Sequence, residues 1–433
     1  MLRLLIAFCI ILNTSCGQSQ RADTHISVIS EVADTIPYTS LGNIDNDSIF
    51  IEQDINLKGG VCLLPKGMNL CSKGGIISNG TLIGDDTKII GRGVLFDKVT
   101  IKGNWNVPYI STQLFATVDE VNSLRQVVAL AHPQVQNTIV IEKDEYQVKA
   151  EKEADACISL CSNTNFILNG SIYLVPNDFE MSDIIRATGK NIRISGEGTI
   201  TGDKKSHTGK KGEWGMGINF KGAINSSVSG LTIQQCWGDC IYVGGSSKDI
   251  LIEKCALNHG RRQGISVTKA DGVTIRDCKI TNVKGTSPQC AIDIEPNQND
   301  SVNHILIEKV LVKDCIGGFM VTRHARKEGA KIPWVGNIII KNCQVHVKKR
   351  IPIIVKRCDG FKMEKCQINA PNNRSAISIL STSHAEIIDN TLSVKPNHKN
   401  IKNLSGKEKE KENPISISNT KHCINRNNII IER

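Results

Sequence analysis

The stretch "ILIEKC" at residues 250–255 decides the fold, because close copies of it recur between residues 229 and 394. In each copy the apolar positions alternate with other residues, as Ile250 and Ile252 do, and this two-residue period is typical of a β-strand. A second apolar triplet, such as "ISV" (265–267), follows each copy. The six copies are "LTIQQC" (231–236), "ILIEKC" (250–255), "VTIRDC" (273–278), "ILIEKV" (305–310), "IIIKNC" (338–343) and "FKMEKC" (361–366).

The spacing between copies varies while the strand pattern persists, which is typical of stacked coils that carry loops of different length. One coil cannot bury its apolar face alone, but parallel coils about 4.8 Å apart share a continuous core. With only 4% aromatic residues and 36 glycines in 433 residues, the composition suits a narrow interior of Ile, Val and Cys with many turns. The sequence therefore predicts an all-β solenoid, a parallel β-helix.

Sixteen cysteines would usually indicate disulfide bonds in an exported protein. Here most cysteines of the repeat share one position of the coil, where a buried row of free thiols would pack as small apolar side chains. The spacings Cys157–Cys161 and Cys236–Cys240 suit coil positions better than zinc ligands. We therefore expect a ladder of free thiols, no metal site and no cofactor, although a Ca²⁺ ion remains an option if the protein is a lyase.

The chain divides into five predicted regions. Residues 1–15 contain the short apolar run "LLIAFCIIL" and are interpreted as a signal peptide, and residues 16–48 as a tether. Short strands at 49–116 predict an N-terminal β-roll-like accessory region, and the helical period at 117–133 predicts a capping helix. Thr117 and Glu120 form a capping-box pattern at its start. Residues 134–433 are the predicted β-helix domain, interrupted by a charged loop at 395–413.

The residues "SC" at 15–16 resemble the end of a bacterial lipoprotein signal. This resemblance predicts lipidation of Cys16 and an exported, outer-membrane lipoprotein that faces either the periplasm or the cell exterior. Plain secretion is the alternative. The net charge of +10 suits an anionic partner, and no nucleic-acid-binding module is recognisable, so we expect an acidic polysaccharide. A merely solvated lysine-rich surface would explain the charge equally well, and the oligomeric state stays open.

Two segments carry a family resemblance, "NIRISGEGTITGD" (191–203) and "GDCIYVGGSSKDILIEKC" (238–255). They resemble the pectate-lyase-like right-handed parallel β-helix superfamily, and in particular the polygalacturonase-type glycoside hydrolases. The resemblance implies a right-handed helix and carbohydrate-active chemistry. Of the aspartate pair in that family's central coil, Asp239 is present and Gly238 replaces the first member. The Asn-Thr-Asp triplet is absent, and "RRQG" (261–264) replaces the His-Gly motif.

Candidate catalytic residues are Asp293, Glu295 and Asp239. Asp293 and Glu295 lie two apart on one predicted strand, so their Cα atoms are about 6.6 Å apart on one side. Two carboxyl groups at such a distance suit the acid and base of a glycosidase, but they would equally hold Ca²⁺ or an arginine. Asp239 lies two coils earlier and forms a wall of the same cleft. Predicted substrate-binding residues are Glu213, Trp214, Arg261, Arg262, Gln263, Arg323 and His324.

The two arginines Arg262 and Arg323 are expected to flank the carboxylates and to bind a sugar carboxylate, or else to neutralise them. Trp214 is expected to stack on a sugar, with packing across a turn as the alternative. Three hypotheses remain: a glycoside hydrolase; a polysaccharide lyase with Arg262 or another residue as base; and a non-catalytic glycan-binding protein. The concentration of these residues on neighbouring coils favours a functional site over mere charge neutralisation, and the leading hypothesis is the hydrolase that uses Asp239, Asp293 and Glu295.

Overall fold

The computed structural model describes residues 34–117, 121–324, 333–396 and 413–432. Most of this chain winds through three long parallel sheets, which we name A, B and C in the order in which the chain visits them within one coil. Each strand pairs in parallel with the third strand after it, as Ile250 and Ile252 pair with Val273 and Ile275 in the next coil of sheet A. The predicted all-β parallel β-helix is confirmed.

The strand bounds show how regular the coils are within the described residues. Sheet A contains Tyr109–Ser111, Asn137–Ile141, Thr164–Leu168, Arg193–Ser195, Ile224–Ser229, Ser247–Glu253, Ala270–Arg276, Ser301–Glu308, Trp334–Lys341, Asp359–Glu364, Ser383–Ile388 and Lys421–Arg426. Sheet B contains Glu145–Val148, Ser171–Leu174, Thr199–Thr201, Thr232–Gln234, Ala256–Asn258, Lys279–Thr281, Leu311–Cys315, Gln344–Val347, Gln367–Ala370, Thr391–Val394 and Ile429–Glu432. Sheet C contains Asp155–Leu160, Met181–Ala187, Trp214–Lys221, Ile241–Gly244, Ile265–Val267, Cys290–Ile294, Gly317–Thr322, Ile353–Lys356, Ile377–Leu380 and Ile415–Ser418.

Each coil has three strands, whereas the sequence pattern predicted two. The copies at 250–255 to 361–366 lie on sheet A and the triplets lie on sheet C, but the copy "LTIQQC" lies on sheet B. The sheet A register pairs Val228 with Ile252, so the segment equivalent to "ILIEKC" ends at Leu231 rather than at Cys236. The strands of sheet B were missed because many are only three residues long, with a single inward side chain such as Leu257.

The N-terminal region forms a separate eight-stranded sheet. Its strands are Thr35–Ile36, Asn43–Asp45, Ser48–Ile51, Ile55–Asn56, Val61–Leu63, Asn69–Ser72, Ile77–Ile90 and Phe96–Trp105. Short 3-10 helices occur at Tyr38–Leu41 and Thr112–Leu114. Residues 35–48 were predicted as part of a tether, but they contain strands and a 3-10 helix. Leu41 anchors this segment, because it packs into the same core as Ile49. The signal peptide and Cys16 lie outside the described residues.

One α-helix, Ser123–Ala129, is present in the part of the chain that the structure describes. It is shorter than the predicted 117–133 segment and buries Leu124 and Val127 against strands at the N-terminal end of the solenoid. The hydroxyl of Thr117 donates to Asp97 and Asn122 is the N-cap residue, so Thr117 does not cap this helix. Glu120, the other member of the predicted capping box, lies outside the described residues. The described helix is too short to cross a membrane.

The thiol row exists, and 14 cysteines of the described ranges are free, twelve of them buried. Cys255 and Cys278 follow equivalent strands of sheet A, as do Cys343 and Cys366. Their Sγ atoms approach backbone carbonyls, for example Cys255 with Glu253 at 3.2 Å. These thiols therefore close the turn between sheets A and B with a small apolar group and a weak hydrogen bond.

Candidate acidic site on sheet C

The outward face of sheet C carries a row of polar side chains, because strand alternation sends every second residue away from the core. In the coil at Cys290–Ile294, Ile292 and Ile294 are buried in the core, and Asp293 between them lies in register with Ser266 and Met320. Coil stacking thus brings side chains distant in sequence within contact. This row lies beside the loops that carry Glu213 and Asp239.

Asp239 is fully buried and accepts a hydrogen bond from the hydroxyl of Ser266 at 2.6 Å. Arg262 approaches the same Oδ2 atom, with Nη1 at 3.4 Å, and its Nε donates to Glu213 at 3.1 Å. Burial raises the pKa of Asp239 to about 6, against the opposing effects of Arg262 and the Ser266 hydrogen bond. Asp239 is therefore a direct member of this cluster and not merely a distant wall.

Asp293 is also buried, although its position in the strand is an outward one. Gln263 donates from Nε2 to Asp293 Oδ2 at 2.8 Å and accepts the backbone N–H of Cys290 at 2.8 Å. Burial holds the pKa of Asp293 well above its usual range, and the nearby charge of Glu295 adds to the shift. The environment of Asp293 thus favours the protonated form of its carboxyl group.

Glu295 lies at the more exposed end of the site, with 22% of its side chain accessible. Its Oε1 accepts a hydrogen bond from Thr322 at 2.8 Å and lies 3.1 Å from Nε2 of His324. His324 itself is largely exposed. The predicted residues Glu295 and His324 therefore form a contact at the rim of the buried carboxyl groups.

The positive charge of Arg262 interacts with the charges of four nearby carboxyl groups. Burial lowers its pKa, but the charges of Asp239, Asp293, Glu213 and Glu295 outweigh this effect and raise the pKa above its usual value. The guanidinium stays charged, and 16% of the side chain is exposed. We call Glu213, Asp239, Arg262, Asp293 and Glu295 the acid cluster.

Among the described residues, three predicted binding residues make no hydrogen bond or ion pair with the acid cluster: Trp214, Arg261 and Arg323. Arg323 does not flank the acid cluster as predicted; its charge acts on Cys358 and Asp359 of the next coil, and its backbone carbonyl accepts from Arg357. Its backbone N–H donates to the carbonyl of Lys356 in the next coil. Trp214 is 43% exposed at the start of its strand, in register with Met181.

Arg261 stacks on an aromatic residue, and the charge of Glu213 acts on its guanidinium. Its guanidinium lies 3.7 Å from the ring centre of Trp237, and Nη1 donates to the carbonyl of Gly212 at 2.8 Å. The imidazole of His207 stacks on the same indole, and its Nδ1 atom lies 2.8 Å from Oδ2 of Asp203. Arg261 thus links the backbone before Glu213 to Trp237.

Ser266 and Thr322 are site residues that the sequence reasoning did not select. A lone hydroxyl carries no distinctive motif, so nothing in the sequence singles these residues out. The Asp203, His207 and Trp237 group was also missed, since only the fold brings residues 203–207 beside residue 237. Across the described ranges, no group of three or more His, Cys, Asp or Glu side chains is arranged to hold a metal ion.

The comparisons with known proteins agree with the fold. A family described as "Right handed beta helix region" matches residues 154–299. Two Bacillus subtilis proteins are similar: SPbeta prophage-derived uncharacterized protein YorA, 27% identical over 36% of this chain and 31% of its own length, and uncharacterized protein YclG, 34% identical over 24% and 21%. The matches thus span less than a third of either relative.

Among solved structures, the A-module of the Azotobacter vinelandii mannuronan C-5 epimerase AlgE6 is similar, with a TM-score of 0.50. It is 15% identical, and the alignment covers 63% of this chain and 74% of the module. This likeness concerns the fold.

Proposed function

We propose that the acid cluster of this right-handed parallel β-helix, whose stacked coils present rows of outward side chains, cleaves an acidic polysaccharide. The observation that carries this proposal is the pair of buried carboxyl groups with raised pKa, Asp239 and Asp293, beside the more exposed Glu295. Carboxyl groups held in different environments supply the acid and the base that glycoside hydrolysis requires.

In the proposed reaction, Asp293 is the general acid that protonates the leaving oxygen of the glycosidic bond. Its Oδ1 atom has no hydrogen-bond partner, whereas Oδ2 is held by Gln263. Glu295 is the base that activates water, oriented by Thr322 and His324. Asp239 holds Arg262 and Ser266 in position and adds negative charge beside the developing oxocarbenium ion.

An anionic substrate suits Arg262, whose side chain is 16% exposed, because a guanidinium group can bind a carboxylate in a bidentate manner. The exposed indole of Trp214 supplies an apolar surface for a sugar ring at the edge of the same sheet. The structural neighbour is named for mannuronan, which supports a polysaccharide as the class of substrate. The raised pKa of Arg262 argues against a lyase in which this arginine abstracts a proton.

The test is turnover of a panel of acidic polysaccharides by Asp293→Asn and Glu295→Gln, with new reducing ends and unsaturated products measured separately. Each variant should lose at least about 100-fold in turnover, within the range for general acid–base catalysis. Asp271→Asn is the matched control, because Asp271 is exposed and pairs with His304 on sheet A. Unsaturated products would instead identify a lyase, and saturable binding without cleavage a binding protein.

We also propose that the protein is exported and anchored through a lipid on Cys16. The apolar run at 4–12 and the Ser-Cys pair at 15–16 support this proposal. Metabolic labelling with a radioactive fatty acid should label the protein and fail to label Cys16→Ala. Equal labelling of both proteins, or of neither, would contradict the anchor.

A further inference from the structure

A cavity of about 600 Å³ lies far from the acid cluster, where the N-terminal sheet meets the first strand of sheet A. Its walls come from the turn at residues 91–93 and from the segment 107–114. The strand Tyr109–Ser111 is an edge strand of sheet A, five strands before Ser247–Glu253 of the coil that contributes Ser266. At about 4.8 Å per strand, the cavity is roughly 24 Å along the axis from the acid cluster.

Tyr109 dominates the open side of this cavity, with 61% of the residue exposed. An aromatic ring so accessible is unusual in a chain with only 4% aromatic residues. Val107, Pro108 and Leu114 form an apolar wall beside it. A flat ring next to an apolar wall suits a ligand with one apolar face and a polar rim, as a pyranose has.

Arg92 supplies the positive charge of the cavity. It stands between Gly91 and Gly93, whose φ angles of 109° and 96° favour glycine, and a Cβ atom at Gly91 would lie 3.0 Å from the carbonyl oxygen of Ser72. This tight turn sets Arg92 at the cavity wall. No carboxylate of the described residues pairs with its guanidinium, so the N–H groups of the guanidinium are free to bind an anion.

Two uncharged polar side chains, those of Ser111 and Gln113, also line the cavity. The Ser111 hydroxyl accepts the backbone N–H of Gln113 at 3.2 Å and donates to Glu142 at 3.2 Å, so its capacity is used within the protein. The side-chain amide of Gln113 has no such partner in the described chain and lines the cavity. An amide beside a guanidinium provides donors for both a carboxylate and a hydroxyl group.

We propose that this cavity is a second, non-catalytic binding site for a carboxylated sugar unit of the same polymer, with Tyr109 under the ring and Arg92 on the carboxylate. The choice of ligand rests on the proposed function at the acid cluster. A second site on the same rod makes attachment of a long chain partly intramolecular, so it raises the apparent affinity for polymers more than for short oligosaccharides.

The experiment is calorimetric titration of Glu295→Gln protein with tetrasaccharides of galacturonic acid and of mannuronic acid. Tyr109→Ser and Arg92→Gln are added separately to that background, and Tyr173→Ser is the matched control, because Tyr173 is a partly exposed tyrosine on sheet B. The background protein should bind one of the acids at two sites. Each cavity variant should weaken one of these sites at least about tenfold, which corresponds to one lost bidentate or stacking contact, and the control should weaken neither.

The proposal is overturned if both cavity variants titrate like the background, or if a neutral glucose tetrasaccharide binds as tightly as the acids. Turnover of the tetrasaccharide in otherwise unchanged protein should be the same with and without Tyr109→Ser. Continued cleavage by Glu295→Gln would contradict the catalytic assignment alone, since the comparison of Tyr109 variants measures binding. Circular dichroism melting of each variant excludes unfolding as the cause.

Discussion

Gln263 donates a hydrogen bond to Asp293 at 2.8 Å from the neighbouring coil, and both side chains are buried. The Oε1 atom of the same amide accepts a hydrogen bond from the backbone N–H of Cys290. One side chain therefore supports both the proposed general acid and the strand that carries it.

Gln263→Leu should destabilise the fold by about 1–3 kcal/mol, because it leaves the buried N–H of Cys290 without a partner. Gln263→Glu keeps an acceptor for Cys290 but places a second carboxyl group against Asp293. We expect the Glu variant to be close to the parent near pH 4 and to lose stability as the pH rises, since the two buried carboxyl groups resist ionisation together. Urea denaturation at several pH values measures both effects; a pH-independent difference for the Glu variant would contradict the contact.

Asp239 should make folding stability fall as the pH rises. Its pKa is raised from 3.8 to about 6 in the folded chain, so between these values the folded state holds a proton that the unfolded state has lost. Its contribution is largest below about pH 4 and is lost as the pH passes 6, with a total on the order of 3 kcal/mol. Asp239→Asn should therefore gain stability relative to the parent between about pH 4 and pH 7. A constant difference across this range in urea denaturation would refute the assignment.

Arg262→Met should abolish turnover and binding of an anionic substrate. The change removes the positive partner of Glu213 and Asp239, and Asp239 then has to remain protonated or stay buried as an unpaired charge. The matched control is Arg276→Met, because Arg276 pairs with Glu253 on the surface of sheet A. The control should change turnover by less than about twofold, as is usual for exposed ion pairs. Equal losses for both variants in a kinetic assay would show that general charge, and not the acid cluster, matters.

The buried thiols of the solenoid should react slowly in the folded protein. Burial raises the pKa of Cys157, Cys315 and Cys358 to about 12, so few thiolates form at neutral pH. Of the described cysteines, only Cys161 and Cys423 are partly accessible. Titration with a chromogenic disulfide at pH 8 should modify these two quickly and the others only after denaturation. Rapid reaction of the buried thiols without denaturant would contradict the close packing of the row.

The sequence by itself determined the architecture and the identity of the thiol row. A period of two in repeated short segments can be read without any long-range information, and it specified parallel stacking with Ile252, Ile275 and Cys278 inside. The same pattern placed Asp293 on the outward face of a strand. The two-residue period cannot be recognised in the strands of sheet B that are only three residues long. For that reason the pattern groups "LTIQQC" with strands of sheet A, although it lies on sheet B.

The tertiary structure decided which outward residues meet. Asp239, Arg262 and Asp293 are brought together by the rise of one strand per coil and by the paths of loops whose lengths follow no period. The same paths send Arg261 onto Trp237 and Arg323 toward Asp359. Burial also depends on what neighbouring coils place above a residue, so the raised pKa of Asp293 is a property of the assembled solenoid. Strand period is encoded locally, whereas contacts and dielectric environment arise only when the coils stack.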